Sequence, residues 1–428
     1  MTLSKKPYRG TRDFFPQNKR VLDYLFKKMH QVSSSFSYEA YDAPLVEPVD
    51  LYLAKSGEEL INDQIYSFED RGKRNIAIRP EMTPSLARMI AQVHREEIKP
   101  LRWYSIPNLM RYEKPQRGRL REHWQYNCDI FGGAPIYSEI EVISLLINLL
   151  NSYGANQEHF EILINDRRIV DLFFSNILKL NSEDSYKLYK VVDKSKKVSP
   201  EVLEKMTNEY LNKDQFDLLK NYLQINDFDE LKSFYQKYDI EVQDLEFFNF
   251  TKIAKELDLI KYLKYDSSIV RGLDYYTGIV FEAFDKHPEN RRAICGGGSY
   301  SSLLKIFKEE PILGVGFGLG DVTLKDFLET HGLLPSVPKS NTDILLVTSD
   351  PTKITQLLSI ADELRSSFNI MTQISPMKIG KAFKLCEKKE ISNILILRND
   401  GIMEAKNIKK STHLDTENLN EVLDFFKG

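Results

Sequence analysis

The stretch RGLDYYTGIVFEAF, residues 271–284, joins two kinds of sequence. From Ile279 it has the β-branched and aromatic residues of a strand, whereas its first half crowds Arg271, Asp274, Tyr275, Tyr276 and Thr277 around two glycines. In an extended segment Tyr275 and Tyr276 point to opposite faces, so one packs and the other offers its hydroxyl to a ligand. A second polar focus is RPEMT, residues 79–83, read as a strand end running into a helix with Thr83 as N-cap and Pro84 at its first position. There the positive end of the helix dipole draws in the Glu81 carboxylate, which could also receive an ammonium group; the plainer reading is an ordinary acidic helix start. The third focus is the basic hairpin 111–121, in which Lys114, Arg117, Arg119 and Arg121 surround the turn PQRG, with Arg111 and Glu113 on the leading side. Planar guanidinium groups at that density suit a polyphosphate or a nucleic-acid end better than a plain solvated hairpin. On the returning strand Gln125, Asn127 and Asp129 share one face at period two.

Other motifs exclude chemistry. GVGFGLGD (314–321) lacks the spacing of a dinucleotide fingerprint, and no phosphate-loop GxxxxGK[ST] occurs. The consecutive Gly296, Gly297 and Gly298 permit close backbone approach to a ligand, or a simple bulge. Three widely spaced cysteines without CxxC, and seven histidines without HExxH, point to a reducing compartment and away from disulfides, zinc or a catalytic metal cage.

The elements that must position these residues follow from periodicity. The chain of 428 residues is 42% hydrophobic and 28% charged, which suits two or three globular domains, and its net charge of −3 leaves only local basic surfaces for phosphate. No apolar run reaches bilayer length and the N-terminus lacks a secretory core, so a cytoplasmic protein without a membrane segment is expected. Helical periodicity marks 17–38 and a helix near 137–153; strands are expected at 75–78, in the runs on either side of 114–122, and at FEILIND. Residues 170–262 read as a helical insertion, LPSVPKSNT as a linker, and 341–428 as a small α/β domain with a mostly parallel sheet.

Taken in order, RGTRDFFP, RPEMT, RYEKPQRGR and RGLDYYTG resemble the histidyl-tRNA synthetases, a class II aminoacyl-tRNA synthetase family, over nearly the whole chain. The resemblance implies an α+β catalytic domain over 1–335, with an antiparallel class II sheet flanked by helices and the insertion 170–262. It also implies a C-terminal α/β anticodon-binding domain over 341–428, and a homodimer with APLVEP, around Pro44, at its interface. It implies ATP carried with Mg2+ held mainly by its phosphates, no zinc, and histidine and histidine tRNA as partners. By the same resemblance Arg271 and Arg111 contact the α-phosphate, Glu113 the adenine amino group, and Arg119 the ATP phosphates. Glu81, Thr83 and Gln125 receive the substrate α-amino group, and Asp129 and Tyr276 its imidazole, with Tyr275 alongside. Gln116, Arg117 and Arg121 face the tRNA acceptor end, and Gly296, Gly297 and Gly298 form the floor. One position departs: Thr323 stands where the family carries the arginine that stacks on adenine and meets the γ-phosphate. That loss gives weight to an alternative, a non-catalytic histidine-sensing regulatory subunit of ATP phosphoribosyltransferase. A general nucleic-acid binder is a third reading, and it leaves Glu81, Gln125, Asp129 and Tyr276 unexplained.

Overall fold

The computed structural model describes residues 3–53, 63–270 and 275–428. Arg271 therefore lies outside the described residues. The chain divides into two compact units, one comprising Met1–Asp13 and Leu22–Leu334, the other Phe14–Val21 and Pro335–Gly428.

The strands of the first unit are β1 (Glu39–Ala40), β2 (Val46–Pro48), β3 (Tyr66–Glu69), β4 (Asn75–Ile78), β5 (Leu101–Ser105), β6 (Asn108–Met110), β7 (Glu122–Phe131), β8 (Phe160–Asp166), β9 (Leu263–Tyr265), β10 (Ile279–Asp285), β11 (Ala293–Tyr300) and β12 (Gly314–Gly320). The large sheet runs β1-β5-β7-β12-β11-β10-β8-β9, with β6 also paired to β7. Its interior ladders, from β5 to β8, are antiparallel, and only the outermost pairs, β1 with β5 and β8 with β9, are parallel. The sheet's two faces differ in chemistry. Tyr126, Cys128 and Ile130 of β7, Val315, Phe317 and Leu319 of β12, and Phe281 of β10 point one way into the main core. That core is closed by the helix Tyr137–Ser152, whose Val142, Ile143, Leu146 and Leu150 are buried against it. The opposite face carries Gln125, Asn127 and Asp129, which lie across from Gly320, Gly318 and Gly316. Period-two alternation thus separates an oily face from a polar, glycine-paved one.

The segment Arg167–Leu172 to Ile260–Tyr262 is built of helices and connects β8 to β9. A second sheet, β2-β4-β3, places the proline-bracketed Val46–Pro48 on an edge. The helix after RPEMT starts at Thr83 itself, with Met82 as a cap that makes no side-chain bond, so Thr83 is not the N-cap; it is the first helical residue and Pro84 the second.

The second unit contains β13 (Ile344–Thr348), β14 (Ile370–Thr372), β15 (Asn393–Leu397), β16 (Met403–Asn407) and β17 (Thr412–Thr416), in the order β14-β13-β15-β16-β17. The expectation of a mostly parallel sheet is corrected here. β13 pairs in parallel with β14 and β15, but β16 and β17 add an antiparallel meander. Those two strands are MEAKN and THLDT, only partly buried and polar in sequence, so they lack the apolar run that announces a core strand.

Candidate active site

The glycines of β12 clear the space above the polar face. A Cβ built on Gly316 would collide with the Asp129 carboxylate, and one on Gly318 would lie 2.8 Å from the Gln125 amide. On β11 a Cβ at Gly298 would lie 2.9 Å from the Tyr276 ring. GVGFGLGD is thus a strand whose alternate positions yield room to the side chains of its neighbours.

Asp129 is buried at the centre of this face, and the Tyr300 hydroxyl donates to its Oδ1 at 2.5 Å. Burial pushes its pKa up to about 7, and the Tyr300 bond acts in the opposite direction. Tyr275 and Tyr276 complete the cluster. They do not point to opposite faces: the strand begins only at Ile279, and both rings turn inward, 4.7 Å apart and 5.6 and 6.4 Å from Tyr300. Leu86 and Ile90, on the helix that follows RPEMT, pack into the same cluster, which brings that motif against the tyrosines. Glu81 is buried at the turn before this helix.

Beside this polar pocket the same face opens into a cavity of about 410 Å³, lined by Arg111, Glu113, Arg119, His123, Gln125, Glu282, Arg292, Gly296, Gly318 and Thr323 among others. Arg111 is anchored by a bond from Nε to the Pro80 carbonyl at 2.7 Å, which ties the basic hairpin to RPEMT. Glu113 is buried and ion-paired with Arg119; burial raises its pKa while Arg119, Arg111 and Arg292 pull it down. His123 has its pKa lowered to about 3 by burial and by nearby arginines, so it is neutral. Gln116 and Arg117 are exposed on the hairpin turn, where Gln116 and Arg119 exchange backbone bonds of 2.9 Å and Arg117 reaches Glu289 at 3.1 Å.

Arg121 differs from its neighbours. It is buried, donating from Nε to the Glu113 carbonyl and from Nη1 to the Tyr8 hydroxyl, with the Tyr112 ring 4.0 Å from its guanidinium carbon. That environment braces the base of the hairpin, a structural task that the sequence did not indicate. Asp321 has a similar task, accepting from Arg12 and from the Trp124 backbone at 2.8 Å each. Thr323 lines the cavity with its hydroxyl turned back to the carbonyls of Ile294 and Gly320.

Sequence reasoning missed Tyr300, Glu282, His123 and Arg292. Tyr300 follows the glycine triplet and Glu282 interrupts an apolar strand, which were the available signals. Nothing local marks Arg292, whose place in the cavity depends on the β10–β11 hairpin.

The profile described as histidyl-tRNA synthetase matches residues 10–322. The chain belongs to the histidyl-tRNA synthetase family. It is 40% identical to the histidine–tRNA ligase of Leptospira biflexa, over 94% of this chain and 91% of that one. With the histidine–tRNA ligase of Thermoplasma volcanium it shares 34% identity over 92% of both. Among solved structures, a histidyl-tRNA synthetase from Nostoc matches all of this chain and 99% of its own, with a TM-score of 0.80 at 21% identity. A Bacillus halodurans protein described as an ATP phosphoribosyltransferase regulatory subunit/histidyl-tRNA synthetase follows at 0.76 and 18%, covering 93% of this chain and 100% of its own. At those identities the structures speak for the fold. Membership makes the large sheet a class II synthetase sheet and the chain an ATP-binding protein.

Proposed function

We propose that the chain is a histidine–tRNA ligase, which joins histidine to ATP as histidyl-adenylate and then passes histidine to the 3′ end of histidine tRNA. The observation that carries this reading is the placement of the buried Asp129–Tyr300 pair and the arginine-lined cavity side by side on one glycine-paved face. An imidazole offers one N–H donor and one acceptor nitrogen, which a carboxylate and tyrosine hydroxyls can satisfy together. Asp129 and Tyr276 then hold the substrate ring with Tyr275 packed beside it, and Glu81, Thr83 and Gln125 receive the α-amino group. Arg111 and Arg271 neutralise charge at the α-phosphate as the substrate carboxylate attacks, Glu113 takes the adenine amino group, and Arg119 the phosphate tail.

ATP enters with magnesium. The cavity's own carboxylates are Glu113, tied to Arg119, and Glu282, so phosphate oxygens and water make up most of the ion's shell, as suits magnesium. Gln116 and Arg117, on the exposed hairpin turn, face the tRNA acceptor end. Residues 341–428 bind the anticodon, and the chain works in the cytoplasm as a homodimer. In the described residues no helix is long and apolar enough to cross a membrane.

The deciding experiment is histidine-dependent ATP–pyrophosphate exchange by the wild type and by Arg271→Ala. Exchange that falls two to four orders of magnitude in the variant, roughly 2.7–5.4 kcal/mol, is the expected result. Histidine binding without any exchange in the wild type would replace the ligase by the regulatory-subunit reading.

A further inference from the structure

Arg292 immediately precedes β11 and lines the cavity half-buried. It packs where the missing arginine is expected: a Cβ on Gly118, at the hairpin turn, would lie 2.9 Å from Arg292 Cδ and 3.4 Å from Thr323 Cγ2. Arg292 and Thr323 thus share one wall, and Thr323, with its hydroxyl engaged by carbonyls, adds no charge to it. Among the described residues Arg292 makes no hydrogen bond or ion pair; the charges that act on it are Arg119 and Glu113, and Glu113 is already paired with Arg119. A guanidinium partly withdrawn from water without a partner is costly, and its burial here lowers its pKa. A polyanion entering the cavity removes that cost and gains a charge-assisted, planar contact. The exposed Arg291 lies on the same rim.

We propose that Arg292 binds the β,γ-phosphate end of ATP and supplies, from the β10–β11 hairpin, the guanidinium that position 323 lacks. The proposal rests on the ligase reading and deepens it, by naming how this chain holds the triphosphate tail with a threonine at 323.

The test is calorimetric binding of ATP and of AMP, with KM values in histidine-dependent pyrophosphate exchange, for the wild type, Arg292→Ala, Arg292→Gln and the double variant Arg292→Ala/Thr323→Arg. Loss of one charged contact predicts a roughly ten- to hundredfold weaker ATP affinity and higher KM for ATP in both single variants. AMP affinity and the KM for histidine change less than about threefold, which also certifies the fold, and the arginine placed at 323 recovers most of the loss. ATP affinity in both single variants within about threefold of wild type overturns the proposal, as does an equal loss for ATP and AMP, which would make Arg292 an adenosine contact. A wild type that binds ATP through Arg292 yet gives no exchange would defeat the ligase reading alone.

Discussion

Asp129 is placed where its charge is expensive and useful at once. With a pKa of about 7 in the folded chain and about 3.9 in an unfolded one, the folded state retains a proton that the unfolded state releases between those values. Stability therefore declines as pH rises from about 4 to 7, and the cost is complete above 7. Asp129→Asn is expected to raise the Tm of the ligand-free protein at pH 8, the gain fading toward pH 4; a uniform gain at all pH values would point to packing instead. The same change removes the carboxylate proposed to accept the imidazole N–H, so on that reading histidine affinity should fall about ten- to hundredfold at pH 8. In the wild type histidine binding should weaken as pH drops below about 7, because Asp129 takes up a proton, and the substrate ring, with a pKa of about 6.5, charges as well. Titrating histidine by calorimetry between pH 6 and 8.5 separates the two, since only the Asp129 component disappears in the Asp129→Asn variant. Asp129 and Tyr276 drew notice in the sequence as a carboxylate on a polar strand face and a tyrosine in a polar run ahead of an apolar strand, and the structure brings them into one cluster with Tyr300. Tyr300 itself drew none, because its bond to Asp129 spans 171 residues and exists only once β11, β12 and β7 are in register.

At the scale of elements, β12 shows why a glycine-rich run need not be a loop. In sequence its glycines lack the spacing of a dinucleotide fingerprint; their use emerged only from the ladder that sets Gly316 opposite Asp129 and Gly318 opposite Asn127. Gly316→Ala puts a methyl into the Asp129 carboxylate, and overpacking of this kind costs about 1–3 kcal/mol. The expected outcome is a lower Tm with histidine affinity down at least tenfold, whereas Gly332→Ser, at an open position of positive φ, should reduce Tm without touching histidine affinity. The basic hairpin teaches the complementary lesson. Its charge density was evident, but the division of labour was not. Arg121 lies beneath the hairpin against Tyr8 and Tyr112, while Gln116 and Arg117 stand in solvent. Arg121→Ala should therefore destabilise the hairpin and weaken ATP and tRNA together. Arg117→Ala, which loses an exposed ion pair to Glu289 and a long exposed bond to the Thr330 hydroxyl, should leave stability within about 0.5 kcal/mol of wild type and affect tRNA charging alone.

At the scale of the whole molecule, the class II architecture was legible because four motifs occur in order across the chain, while the meander of β16 and β17 was not, because neither strand carries an apolar run and only Met403 and Ala405 are buried. The remaining question at this scale is the second copy. The small sheet β2-β4-β3 exposes Leu45 at 53%, Val46 at 40% and Phe68 at 50%, an apolar surface beside the proline-bracketed edge strand. Among the described residues β2 pairs with β4 alone, which makes it an edge strand that a partner could approach. Apolar residues clustered on one small element are the pattern of a surface that another protein covers, and the homodimer proposed above would supply that cover with an identical patch. Val46→Asp and Phe68→Asp place charges at exposed positions, so neither should cost the fold much, but each buries a carboxylate in the dimer. Sedimentation at micromolar concentration should find the wild type at twice the chain mass and these variants shifted to single chains, with pyrophosphate exchange lost in parallel. If the variants stay dimeric, the copies meet elsewhere and this sheet's apolar surface belongs to a different contact. If the wild type itself sediments as a single chain and still exchanges pyrophosphate, the active site is complete in one copy and the dimer reading fails.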